Sequence, residues 1–581
     1  MVQLHEHAVP LDELIAVAAG RRPADLVLRG GQVVNVFSGE ILPADVAIVG
    51  DRIAGVGDYR GRESVDVAGQ FVCPGFIDAH VHIESSLLSV PQFARVVSAR
   101  GTTAVVADPH EFANVMGIEG VRYVLRTAKY APIDVHVMLS SCVPASPLES
   151  AGAELSAVDL LPLLSDPWVR GLAEMMNYPG VLAGDEAVLE KIRIVGDGVI
   201  DGHAPGLRGA ALVGYAAAGI ASDHECTTAD EAREKLRLGL HIMVREGSQT
   251  RNLAALLPLI TPATADRVMF CTDDKNVEEL LAEGQIDFMI RKAIAGGVDP
   301  ALAVRIATLN PARYFRLGRT GAVAPGYRAD LAVVRDWRSV QVTRTYRGGA
   351  LTAENGVCVH APPAALPPVV LRSSVNVQWL TPESFVIPAP PAAAPRVHVI
   401  CAFDNRIDTE RCVEPAPLHS GQIVADPGRD LCKLAVIERH RASGEIGLAL
   451  ARGFGLRRGA LASTVAHDAH NLIAVGVSDA DLLAAAVHLV KTRGGLCVVA
   501  DGQVLADLPL PVAGLVSEAP PAEVATAHRG VLAAARALGC TLQQPFMALS
   551  FLSLSVIGKL KLTNQGLIDV ERFVRIPLVA E

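Results

Sequence analysis

From Pro74 to Asp273 the sequence alternates short apolar runs with stretches long enough for a helix, and this alternation restricts the fold more than any other feature. Strands separated by helix-length segments read as βα units around a parallel sheet. Eight candidate strands can be marked: 76–82, Thr102–Asp108, Asp134–Ser140, Val169–Met175, Gly198–His203, Gly219–Glu225, Leu240–Glu246 and Arg267–Asp273. Eight such units in about 250 residues match a (β/α)8 barrel of the TIM type, in the α/β class. Such a barrel builds its active site at the C-terminal ends of its strands. His80, His82, Asp108, Glu174, His203, His224 and Asp273 all fall at those ends.

The 581 residues are too many for one core, and the flanks of the barrel read differently. Residues 1–72 carry short strands with turns, such as Asp25–Gly31, Asp45–Gly50 and Arg52–Gly57. The strand-like residues 321–370 are expected to rejoin them in a small composite β-sandwich around the barrel at 73–320. Pro/Ala-rich stretches at Ala361–Pro368 and Pro388–Pro395 suggest extended segments, with a linker at 371–395. Residues 396–581 read as an additional α+β C-terminal domain. It holds a strand at Gly495–Ala500 and a helix at Ala522–Leu538, entered after Pro520-Pro521 and stopped by Gly539.

The net charge of −10 gives no basic footprint, so nucleic acid is not an expected partner. Ten scattered cysteines without a CxxC pair read as reduced thiols. No segment offers ~20 consecutive apolar residues and Met1–His7 lacks a leader pattern, so the expected location is cytoplasmic, away from membranes.

The run Asp78-Ala-His80-Val-His82-Ile-Glu84 carries the densest chemistry. As a strand it puts Asp78, His80, His82 and Glu84 on one face and Ile77, Ala79, Val81 and Ile83 on the other. Two imidazoles two residues apart can grip one metal ion. A half-exposed strand with a polar outer face is the alternative, but such a face would more naturally use Lys, Thr or Ser. With Glu174, His203, His224 and Asp273 the set comes to four His and two carboxylates. That exceeds the three protein ligands of a mononuclear catalytic zinc site and suits two divalent metals bridged by Glu174 and a hydroxide. The N/O donors suit Zn, Mn or Fe. Such a hydroxide attacks an electrophilic carbon, and Asp273 can take its proton and pass it to the leaving group. Glu84, Asp108, Glu111 and Glu225 are further acid/base candidates. Asp108 and Glu111 can also be read as a capped βα loop, and His110 stays open between substrate contact and loop structure. His467 and His470 read first as a polar surface turn, with an active-site rim or another ion site as the alternative.

These residues resemble the amidohydrolase superfamily and, more narrowly, the bacterial adenine deaminases. The resemblance rests on Pro74–His82, Met176–Gly180, Asp201–Gly206, Ser222–Thr228 and Phe270–Asp274, and in the last domain on Glu438–His440, Gly453–Leu456 and Val465–Asn471. It implies hydrolytic deamination of adenine to hypoxanthine and ammonia, with adenine and water as substrates. It implies His80, His82, Glu174, His203, His224 and Asp273 as ligands of two divalent ions, manganese first and iron or zinc as alternatives. A homodimer is also implied. A cyclic amidohydrolase on the same barrel, of the hydantoinase or dihydropyrimidinase kind, is the rival reading. A barrel that has lost catalysis is the other, and it would show missing ligands.

Overall fold

The computed structural model describes residues 9–360, 374–390, 394–404 and 406–580. Eight parallel strands form the barrel: Phe76–Val81, Thr102–Ala107, Asp134–Leu139, Val169–Met175, Val199–Gly202, Ser222–Asp223, His241–Arg245 and Val268–Cys271. The first five pair in sequence order, and so do the last three. Two seams close the ring. Ala221 N–H donates to Ile200 O at 2.9 Å, and Asp273 N–H donates to His80 O at 2.9 Å. Ala79, Val106, Met138, Ala173, Met243 and Met269 fill the interior. Both faces of the strands are covered, which explains their near-continuous apolar runs.

The first strand departs from strict alternation. Its register with the second strand is irregular between Asp78 and Val81, the mark of a bulge. Ala79 consequently packs inside the barrel. Asp78 is engaged elsewhere, accepting from Thr272 N–H at 3.1 Å and Gln285 Nε2 at 2.7 Å. The strand also ends at Val81, so Glu84 lies in the 3-10 turn Ile83–Ser86 rather than on the strand. The expected single face of four polar residues is therefore replaced by His80 and His82 alone.

Both flanks of the barrel contribute strands to one hydrogen-bonded nine-stranded sheet. The long strand Ala24–Asn35 pairs with Gly61–Asp66 along its first half and Phe71–Pro74 along its second, with a register shift between Leu28 and Gly31. Phe71–Pro74, which leads directly into the barrel, pairs antiparallel with Leu331–Val334, which follows it. Leu28, Val46, Ile53, Val72, Leu331 and Tyr346 share one core. Asp134, at the start of the third barrel strand, accepts from Arg347 at 2.6 and 2.8 Å and also pairs with Arg328. These contacts tie the barrel to the sheet.

The C-terminal region centres on a second, mostly antiparallel nine-stranded sheet. Its strand Gly495–Ala500 and helix Pro521–Ala537 lie where sequence places them. Residues 374–390 are not a spacer. They include the 3-10 turn Pro382–Phe385, and Phe385 is fully buried beneath the helix Asp479–Lys491. Ala361–Pro368 lies outside the described residues. The C-terminal region is seated on the barrel mouth by backbone hydrogen bonds, Ser89 N–H to Ser517 O and Ser517 N–H to Leu87 O, both 2.9 Å. No helix among the described residues is long and apolar enough to cross a membrane.

Candidate metal centre

Glu174, from the fourth strand, stands between two groups of imidazoles. Its Oε1 lies 3.3 Å from His82 Nε2, and its Oε2 lies 2.9 Å from His203 Nδ1 and 3.1 Å from His224 Nε2. On one side, His80 and His82 present Nε2 atoms 3.2 Å apart, and Asp273 Oδ1 lies 3.5 and 3.0 Å from them. On the other, His203 and His224 converge to 3.3 Å. The structure therefore brings all six predicted ligands together, with Glu174 central. Asp273 rather than Asp274 faces the His80/His82 pair; Asp274 accepts from Ser85 Oγ.

The donor set fits divalent cations. His82 Nδ1 lies 3.1 Å from the carbonyl of Asp108. A proton on Nδ1 donated there leaves the Nε2 lone pair facing the cluster, the usual way a protein fixes a ligating tautomer. Nitrogen and carboxylate donors without thiolate suit Mn, Fe or Zn.

Local anchors set these side chains. Buried Lys235 donates to Asp223 at 3.0 Å, to Glu231 at 2.8 Å and to the carbonyl of Ala204 at 2.7 Å. Asp223 also accepts from Ala204 N–H at 2.8 Å. The residues following His203 and preceding His224 are thus tied together. Gly202 is required between them, because a Cβ there would lie 2.2 Å from Ser222 O. Asp273 itself is a non-glycine residue with φ +55°, a conformation that costs about 1 kcal/mol or more and concentrates at functional sites.

The proposed acid/base residues occupy distinct places. Asp108 Oδ2 lies 3.0 Å from His110 Nδ1, and its Oδ1 accepts from Ser140 at 3.0 Å. Glu111 lies in the first turn of the helix His110–Met116. Glu84 accepts from Phe112 N–H at 3.3 Å, and burial, with the nearby Glu111 charge, pushes its carboxyl up to about 7. Glu225 is paired bidentately with Arg245, at 2.5 and 3.0 Å.

Residues 71–352 match the amidohydrolase family model, and residues 406–574 match the adenine deaminase C-terminal domain. An adenine deaminase from Desulfatibacillum aliphaticivorans is 47% identical over 564 residues, 97% of this chain and 98% of that one. One from Nitratidesulfovibrio vulgaris is 48% identical over 570 residues, again 97% and 98%. The chain belongs to the adenine deaminase family. Among solved structures, a dihydropyrimidinase from Brevibacillus agri is similar over 58% of this chain and 96% of its own, with 16% identity and a TM-score of 0.46.

Three features of this adenine deaminase family member were not assigned from sequence. Arg245 ends the seventh strand and lies 2.5 Å from Asp273 Oδ2; its place at a strand end was the available signal. His110, left open, lies 3.3 Å from Glu174 Oε1. His467 and His470 are not a surface turn. Both are buried, and both reach Glu111 of the barrel. Sequence offered no signal for that contact, because it spans two domains. His467, Asp468, Phe551, Leu554 and Val556 of the C-terminal domain also roof the cavity above this cluster of imidazoles and carboxylates.

Proposed function

We propose that this protein hydrolyses adenine to hypoxanthine and ammonia at the barrel mouth. The observation that carries this reading is a buried cluster of two imidazole pairs joined by Glu174, in a chain whose two parts match an amidohydrolase and the adenine deaminase C-terminal domain. His80, His82 and Asp273 would hold one divalent ion, His203 and His224 the other, and Glu174 both. Manganese is the proposed metal, with iron or zinc as alternatives. Divalent cations held there acidify water towards neutrality and so supply the nucleophile.

The chain's own residues do the rest. Asp273 is oriented from one side by Arg245 and from the other by His80 and His82, and it accepts a proton at its carboxylate. Replacing the amino group by oxygen also requires a proton on a ring nitrogen and one on the departing nitrogen. Glu111 lines the cavity, and the buried Asp108 and Glu84 are the further carboxyl groups proposed for these transfers. The C-terminal roof restricts water, which strengthens the electrostatic interactions inside. A cytoplasmic homodimer completes the reading.

The test is ammonia release from adenine, adenosine, guanine and cytosine after reconstitution with Mn, Fe or Zn. Ammonia from adenine supports the reading. Ammonia from adenosine but not adenine overturns the substrate, and hydrolysis of a dihydropyrimidine without any ammonia from adenine favours the cyclic amidohydrolase.

A further inference from the structure

We propose that His467 and His470 of the C-terminal domain are positioning residues that hold Glu111 in its working orientation. The inference rests on the reading that Glu111 serves the barrel reaction. The two imidazoles take one carboxylate oxygen each. His470 Nε2 is hydrogen-bonded to Oε2. His467 Nδ1 lies 2.5 Å from Oε1. Oε1 also lies 3.4 Å from His110 Nε2, and His110 Nδ1 lies 3.3 Å from Glu174 Oε1. A continuous line of contacts therefore runs from the C-terminal domain to the metal cluster.

Glu111, His467 and His470 have the composition of a third metal site, but the hydrogen bonding assigns them otherwise. Ala466 N–H donates to His470 Nδ1 at 3.1 Å. Nδ1 is therefore the acceptor nitrogen, and the ring proton sits on Nε2, where it is donated to Glu111. A metal on Nε2 would move that proton to Nδ1 and set it against the Ala466 N–H. Burial favours the neutral form of His470, lowering it to about 4, which agrees with this tautomer.

The loop bearing both residues is built to keep them in place. His470 adopts φ +54°, and its N–H donates to Ala466 O at 2.7 Å. The guanidinium of Arg439 is buried and donates to the carbonyls of His470, Thr464 and Ala513. His440 Nε2 donates to Ala469 O at 2.7 Å, and Asn471 Nδ2 reaches Ser150 O of the barrel at 2.9 Å. The His467 ring stacks on Phe551, with centroids 4.6 Å apart and planes at 12°. Glu438–His440 and Val465–Asn471, distant in sequence, thus form one support.

The test compares His470→Gln, His470→Asn and His470→Ala in the metal-loaded enzyme. The Gln amide reaches the place of Nε2 and can donate to Glu111; the Asn amide reaches only the place of Nδ1. Ala and Asn should lower kcat by roughly 10- to 100-fold, with KM changing less, while Gln stays within about threefold of wild type. Metal content should remain two ions per chain throughout. Equal losses in Gln and Asn, or a third ion in wild type that His470→Ala lacks, overturn the proposal. Histidine-selective 15N spectra, with His470 assigned by its loss in His470→Gln, should show the Nε2–H tautomer. That readout is independent of adenine, so failure of the substrate reading is distinguishable from failure of this one.

Discussion

Replacing Glu174 by Gln tests the centre at the residue on which it converges. The carboxylate presents Oε1 to His82 and His110, each 3.3 Å away, and Oε2 to His203 and His224 at 2.9 and 3.1 Å. An amide keeps the volume but has one acceptor and one donor end. Whichever way it turns, one pair of imidazoles faces N–H hydrogens instead of a lone pair. The negative charge common to both sides is lost as well. Removing one partner from a buried set of charges costs about 3–5 kcal/mol, which corresponds to roughly 10²- to 10⁴-fold weaker metal binding. Metal content after dialysis against buffered Mn should therefore fall below two ions per chain, with ammonia release falling alongside it. Far-UV circular dichroism checks that the barrel is intact. A variant that retains two ions and wild-type turnover would falsify the bridging role.

Two predictions concern stability. Lys561 is fully buried, and among the described residues its Nζ donates to the carbonyls of Ile407 and Phe551, at 3.0 and 2.6 Å; burial lowers its pKa to about 7. The folded value lies below the unfolded one near 10.5, so stability should rise with pH between about 7 and 10.5, by up to roughly 5 kcal/mol. Urea unfolding of wild type and Lys561→Met across that range should show the slope only in wild type; parallel profiles would sink the argument. Asp134 is the opposite case. Burial opposes its ionisation, but Arg347 and then Arg328 bring it down to about 2. Its stabilisation, about 2 kcal/mol, is present above the unfolded pKa near 3.8 and disappears as pH falls through 2. Asp134→Asn should destabilise at pH 7 by roughly 3–5 kcal/mol, a difference that shrinks at low pH; an equal loss at both pH values would remove the ion pair from the explanation.

The barrel was legible because parallel strands covered on both faces announce themselves as apolar runs, and their polar ends marked the site. His80, His82, Glu174, His203, His224 and Asp273 could be named because each follows or ends such a run. The strand around Asp78 was misread in detail. A bulge is set by backbone pairing with its neighbour, and the periodicity of one strand does not contain it. Glu84 was displaced because the strand ends at Val81 and the chain turns into the 3-10 helix Ile83–Ser86. His467 and His470 were undervalued because their partner, Glu111, lies more than 350 residues away in sequence and the contact exists only after two domains dock.

The sheet that joins the two flanks of the barrel has a cost during synthesis. Phe71–Pro74 leaves the ribosome roughly 250 residues before its partner Leu331–Val334, an interval of about 10–50 seconds at 5–20 residues per second. Throughout that interval the strand has an unpaired edge, and unpaired edges invite pairing with other chains. The barrel must therefore be translated while its entrance strand is still unlatched, which makes this segment the expected chaperone client of the nascent chain.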